Sequence, residues 1–103
     1  MARVIFTASA SSDEAAILND LYTTAGLRTA TKYRALFSRL YDLLADHPAI
    51  GARRPALGPQ VRIGIVLPYI ITYEDRSSDE TVIILRIVHG SRNITARLLA
   101  TPR

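Results

Sequence analysis

Apolar residues recur along this chain with two periods, and the strongest signal is a run that barely alternates at all. Thr81 to Asn93 reads Thr-Val-Ile-Ile-Leu-Arg-Ile-Val-His-Gly-Ser-Arg-Asn, the longest apolar, β-branched stretch in the sequence. Only a strand covered on both faces carries so few polar groups, so Thr81–His89 is expected in the middle of a sheet. Arg86 interrupts it and needs a reason: a carboxylate such as Glu74 on a neighbouring strand, or a ligand surface on one face of the sheet. Val61–Val66 and Tyr69–Asp75 read as two more strands, joined by a Leu67-Pro68 step too short for anything but an antiparallel turn. Arg76-Ser77-Ser78-Asp79 makes the next turn, and Arg3–Thr7 is a short first strand.

Between the first strand and the others the period changes to 3.6. Ser11-Ser12-Asp13-Glu14 matches a capping box and is expected to open a helix, with Ala15, Leu18, Leu21, Tyr22 and Ala25 along one stripe and Gly26 ending it. A second helix is expected from Thr29 or Thr31, its apolar face made of Tyr33, Phe37, Leu40, Tyr41 and Leu44, and Pro48 stops it at His47. The short joint implies an antiparallel helical hairpin. His47 reads as a cation-capable residue at a helix C-terminus. Residues 48–60 hold three prolines and two glycines and form a stiff loop carrying Arg53-Arg54. That pair is either an ordinary solvated pair or a basic rim that touches a target.

Alternation within the strands divides the sheet into two faces. One set, Ile83, Leu85 and Ile87 with Tyr69, Ile71, Tyr73 and Val61, Ile63, Ile65, is expected under the helical hairpin. The other set, Arg62, Thr72, Glu74 and Arg86 mixed with Ile70, Ile84, Val66, Val82 and Val88, forms the far face. That face is too apolar to be left to water, and a protein partner, a second copy, or the C-terminal residues folding back are the candidates to cover it. The tail Asn93–Arg103 has the pattern of a short helix capped by Asn93 and brings Arg97 and Arg103 near Arg92.

Composition narrows the chemistry. With 103 residues there is room for one domain over 1–103, and 49% hydrophobic residues are enough for its core. There is no cysteine, and two isolated histidines do not make a metal site, so neither disulfides, metal nor cofactor is expected. Ala8-Ser9-Ala10 has the look of a signal-peptidase site, but Val4-Ile5-Phe6 is far shorter than the roughly 7–15 residues of a signal h-region. No stretch approaches the ~18 apolar residues of a membrane span, and a cytoplasmic setting is expected. The net charge of +4 is unevenly placed: residues 1–50 hold five basic and five acidic residues, whereas 51–103 hold eight arginines, no lysine and four acidic residues. Arginine without lysine favours bidentate contact with carboxylate or phosphate, so an acidic partner is expected.

No nucleophile–base pair, paired carboxylates or phosphate-cradling glycine loop is visible. What stands out is a set of arginines, Arg53, Arg54, Arg62, Arg86 and Arg92. Together with Arg54-Pro55, Leu57-Gly58, Val61-Arg62, Pro68-Tyr69, Ile71, Tyr73, Ile84-Leu85-Arg86-Ile87, His89-Gly90 and Arg92, in that order and spacing, the chain resembles the ParE branch of the RelE/ParE superfamily of type II toxin–antitoxin toxins. The resemblance runs over nearly the whole chain. It implies an α+β fold with an N-terminal strand, an antiparallel helical hairpin on one face of a small, mostly antiparallel sheet, and a short C-terminal helix or tail.

The resemblance also implies a partner and a target. The partner would be a ParD-like antitoxin in a toxin–antitoxin hetero-oligomer, seated over Leu18, Leu21, Ile70, Ile84, Arg86 and Val88. The target would be DNA gyrase, whose poisoning blocks replication, reached through Arg53, Arg54, Arg62, Arg86, Arg92 and Arg97, with no catalytic residue and no sequence-specific contact to nucleic acid. The competing branch is RelE-like, a ribosome-dependent messenger RNA endoribonuclease. Arg62 and Arg92 match its basic positions, but the tail position for its tyrosine falls at about Ala96, and only His89 or an arginine stands in for the missing base.

Overall fold

A computed structural model describes residues 1–91 and residue 99. Strand β1 (Arg3–Phe6) leads into helices α1 (Ala8–Ala25) and α2 (Leu27–Asp46), followed by β2 (Ala52–Arg53), β3 (Val61–Val66), β4 (Tyr69–Arg76), a 3-10 turn (Ser77–Asp79) and β5 (Thr81–His89). The five strands make one sheet in the order β1-β5-β4-β3-β2, parallel between β1 and β5 and antiparallel elsewhere. The helical hairpin lies on one face, and β5, the most apolar strand, is flanked on both sides, as the α+β expectation required.

Helix α1 starts earlier than the capping-box pattern suggested. Its cap is Thr7, extended at φ −69° and ψ 161°, whose hydroxyl accepts the Ala10 N–H at 3.0 Å. The same hydroxyl donates to the Leu85 carbonyl at 2.8 Å, tying the helix start to β5. Ser11 to Glu14 therefore lie inside the helix, and the two carboxylates are used sideways: Glu14 accepts from the Tyr41 hydroxyl of α2 at 2.7 Å, and Asp13 turns to the sheet. Gly26 ends α1 as expected, at φ +92° with its N–H on the Tyr22 carbonyl, but it is also the residue before α2. The hairpin joint is a single residue, so α2 begins at Leu27 and not at Thr29 or Thr31.

The core between hairpin and sheet is built from Phe37 and Leu44 of α2, Ala10 of α1, and Val66, Ile71, Tyr73, Val82, Ile84 and Ile87 of the sheet. This corrects the face assignment in two strands. In β4 the odd positions do face the helices. Across the two-residue Leu67-Pro68 connection, however, Val66 pairs with Tyr69 and Gly64 with Ile71, so it is the even positions of β3 that share the helix face. Gly64 sits there because a Cβ would meet the Leu40 methyls at 3.1 and 3.3 Å; its lack of a side chain lets α2 close on the strand. In β5 the register slips, with Thr72 opposite Arg86 but Tyr73 opposite Ile84. Leu85 is the extra residue of this bulge. Val82 and Ile84 consequently point under the helices before it and Ile87 after it, so strict alternation from Thr81 to His89 misplaces the first half.

The far face is correspondingly Val61, Ile83 and Leu85, against which Leu57 of the 54–60 loop and Leu99 pack. The expectation that this face stands bare for a partner is thus corrected: the chain's own loop and a C-terminal leucine cover its centre. The rest of the Asn93–Arg103 helix pattern lies outside the described residues. No described helix is long and apolar enough to cross a membrane.

Because Thr7 carries both the α1 cap and a bond to β5, Thr7→Ala is expected to lower unfolding free energy by about 1–2 kcal/mol, and Thr7→Ser by much less. Urea denaturation of the two variants checks this.

Candidate functional site

Two of the six arginines singled out from the sequence are part of the fold. Arg86 follows the β5 bulge, where Thr72 clasps its backbone: the threonine hydroxyl accepts the Arg86 N–H at 3.1 Å and donates to its carbonyl at 3.3 Å. The guanidinium then makes a bidentate pair with Asp13 of α1, Nε to Oδ2 at 2.7 Å and Nη2 to Oδ1 at 3.1 Å. The side chains are only 13% and 17% exposed, and the hydrogen bonds to Asp13 hold the guanidinium above its ordinary pKa against the opposing effect of burial. The partner expected on sequence grounds, Glu74, accepts instead from Arg76.

Asp13 is the residue the sequence reading missed. Besides Arg86 it accepts the Ile87 N–H at 3.0 Å, on the stretch of β5 that β1 does not reach. The sequence signal was present, since an arginine inside a buried strand demands a carboxylate, but alternation along α1 only placed Asp13 off the apolar stripe.

Arg62 is also committed. On the helix face of β3 it donates from Nη1 to the Gly51 carbonyl at 2.8 Å, with Nε 3.8 Å from Asp75. The same loop is held by Tyr73, whose hydroxyl donates to the Pro48 carbonyl at 2.8 Å and accepts the Gly51 N–H at 2.9 Å. Burial pushes the Tyr73 phenol above its usual pKa, with the Gly51 N–H and Arg62 opposing. A side chain at Gly51 would strike the Ile63 carbonyl and the Tyr73 hydroxyl, which is why a glycine stands there. Arg62 and Tyr73 together thus fasten the loop between α2 and β2.

Arg53 and Arg54 are the exposed members of the set. Arg53 lies opposite Arg62 in the β2–β3 ladder, and Arg54 donates its N–H to the Val61 carbonyl at 2.9 Å, so a two-arginine rim is fixed along the outer sheet edge. Arg92 and Arg97 lie outside the described residues.

The residues expected to meet an antitoxin scatter. Leu18 and Leu21 are half-buried on α1, Leu18 lining a depression with Phe6, Glu14, Arg34 and Tyr41. Ile70 is half-buried opposite the buried Val88. Ile84 is fully buried beneath the helices, because the bulge sets its half of β5 facing inward, and it offers no surface to a partner. A second feature that the sequence reading missed is an apolar groove on the outer flank of α2, between that helix and the end of β3.

The family model described as ParE toxin of type II toxin–antitoxin system, parDE, matches residues 4–94. Toxin ParE3 of Caulobacter vibrioides is 32% identical over 98 residues, covering 95% of this chain and 96% of its own. The chain belongs to the ParE toxin family. A solved structure of the chromosomal ParDE TA system from P. aeruginosa shares the fold, at a TM-score of 0.71 and 24% identity over 86% of this chain and 96% of that one.

Within this ParE fold, His89 is exposed, with Nδ1 2.9 Å from the Ser91 hydroxyl and its ring edge-to-face with Tyr69 at 5.9 Å. Burial is the chief cause that raises the Tyr69 phenol, which disfavours a phenolate there near neutral pH. His47, expected at a helix C-terminus, does cap α2, its N–H on the Leu43 carbonyl at 2.8 Å. Among the described residues no cluster of three or more His, Cys, Asp or Glu is arranged to hold a metal.

Asp13→Ala leaves Arg86 largely buried without its bidentate partner and is expected to cost about 2–3 kcal/mol of stability, measured by denaturant titration. Tyr41 and Tyr73 are both raised from the ordinary 10.0, chiefly by burial, so the folded state keeps protons that the unfolded chain gives up. Stability is therefore complete below pH 10 and falls as pH rises beyond it. In an ultraviolet titration, Tyr41 and Tyr73 should ionise at higher pH in the folded chain than in denaturant.

Proposed function

We propose that this chain is the toxin of a type II toxin–antitoxin module that acts in the cytoplasm, poisons DNA gyrase and is neutralised by direct binding of a ParD-like antitoxin. The observation that carries the reading is the match to the ParE family from residue 4 to 94. The state of the arginines supports it. The ribonuclease reading needs basic groups free on the sheet to stabilise a phosphoryl transition state, with a base and an acid beside them. Arg62 is engaged by the Gly51 carbonyl and Arg86 by Asp13, so neither is presented to RNA in the required way. The exposed pair, Arg53-Arg54, lies on a sheet edge, where cations suit docking to an acidic macromolecular surface. Arg92 and Arg97 complete the proposed gyrase-contacting set.

Purified protein is expected to inhibit supercoiling by gyrase and to accumulate cleaved plasmid. Reversing both charges, Arg53→Glu with Arg54→Glu, should weaken this at least about tenfold while leaving the melting temperature unchanged. Growth arrest with unaffected gyrase and cuts in translated messenger RNA would overturn the gyrase reading in favour of the endoribonuclease.

A further inference from the structure

Helix α2 ends at Asp46 and β2 starts at Ala52, and the residue just before β2 is held at both of its backbone polar groups by side chains of other strands. The Gly51 N–H donates to the Tyr73 hydroxyl of β4 at 2.9 Å, and the Gly51 carbonyl accepts from Arg62 Nη1 of β3 at 2.8 Å. Tyr73 spends its own proton on the Pro48 carbonyl at 2.8 Å, and its side chain is fully buried, so the hydroxyl stands at a fixed point under the loop. These are the last fastenings before two exposed arginines. β2 is only two residues long, and Arg53 lies directly opposite Arg62 in its ladder, where like charges push strands apart. Among the described residues the Arg53 and Arg54 side chains have no hydrogen bond or ion pair of their own, so where they stand is set by the backbone.

We infer that Tyr73 is the positioning residue of the arginine rim: its hydroxyl, together with Arg62, fixes Pro48 and Gly51 so that Arg53 and Arg54 are held in place for an acidic partner surface. The inference rests on the gyrase reading above and deepens it by naming the device that gives that contact its shape. Three observations carry it. The first is that β2 has little hold of its own, because two ladder residues with arginines facing each other do not keep an edge strand in register. The second is that the loop is seated against the tyrosine with no slack, since a Cβ on Gly51 would strike both the Ile63 carbonyl and the Tyr73 hydroxyl. The third is that the rim hangs between two ties, this one at Gly51 and the Arg54 N–H on the Val61 carbonyl at 2.9 Å, so releasing the first frees half of it. Arg62 adds to the clamp through the fork of its guanidinium: Nη1 reaches Gly51 while Nε lies 3.8 Å from Asp75, which sets a carboxylate beside the charge that Arg53 faces. A rim already ordered in the free chain loses no loop entropy when a partner docks, whereas a loose one must be ordered at that moment, with a loss of affinity.

The test reads inhibition of gyrase supercoiling by the full-length chain, with amide hydrogen exchange at Arg54 and the melting temperature measured on the same samples. Tyr73→Phe keeps the buried ring and removes only the hydroxyl; it is expected to raise the half-inhibitory concentration about tenfold and to speed exchange of the Arg54 N–H well below the melting temperature. Arg62→Lys keeps the charge but loses the fork that reaches Gly51 beside Asp75, and is expected to act in the same direction. Thr7→Ala, a destabilising change at the β5 end of the sheet, should inhibit within about twofold of wild type, which separates lost positioning from lost folding. In a chain already carrying Arg53→Glu with Arg54→Glu, Tyr73→Phe should add no more than about twofold, because the groups it positions are gone; a merely structural role would take the same factor from both backgrounds. Equal losses in both backgrounds, an equal loss in Thr7→Ala, or wild-type inhibition by Tyr73→Phe would each overturn the positioning role while leaving the gyrase reading intact. Undiminished inhibition by Arg53→Glu with Arg54→Glu would overturn the rim and the positioning role with it, and a wild-type chain without effect on gyrase would overturn the gyrase reading as well.

Discussion

The structure depends on how the outer edge of β5 is finished. β1 pairs with β5 only from Thr81 to Ile84, leaving the second half of the most buried strand without a neighbouring strand on that side. Exposed strand edges invite mispairing, and buried backbone groups without partners are costly. Two side chains take the place of the missing strand: the Thr7 hydroxyl on the Leu85 carbonyl and the Asp13 carboxylate on the Ile87 N–H. Both belong to the turn and first helix that leave β1, so finishing the edge also sets where α1 begins and how it leans on the sheet. Arg86 then balances Asp13, which explains a cation in the most apolar strand without any ligand.

Much of this was legible in the chain. Strand and helix order, the hairpin, the tight Leu67-Pro68 connection and the α+β class all follow from local period and breakers. What alternation could not supply was pairing. A two-residue hairpin sets an even position of β3 beside an odd one of β4, and the choice of face by which set looked purer in apolar residues ignored that parity. The bulge at Leu85 is a property of two strands together and leaves no mark in one of them. The capping box failed for a related reason: Ser11 and Glu14 have the right spacing, but Thr7 has a tertiary acceptor in Leu85, and that long-range bond decides where the helix starts.

The site divides along the same line between local and long-range information. The basic excess of residues 51–103 was visible as composition, but which arginines are surface and which are fasteners depends on partners far away in sequence. Arg86 needs a residue 73 positions earlier, and Arg62 a carbonyl 11 positions back, in the loop between α2 and β2. Conversely, the α2 groove went unseen because Leu36 and Leu43 fall beside the stripe that faces the core. A helix apolar over more than one face signals a second contact.

The groove and the arginine rim are not independent surfaces. Both are built on β3: Arg53 is fixed opposite Arg62 and Ala52 opposite Ile63, while Ile65, the groove's strand wall, lies two residues further on. At about 3.3 Å per residue, Arg53 opposite Arg62 stands ~10 Å from Ile65 along the strand. The Asp13–Arg86 pair lies towards the other end of the sheet, at β5, so a macromolecule seated on the β3–β2 edge leaves the fastening of α1 untouched.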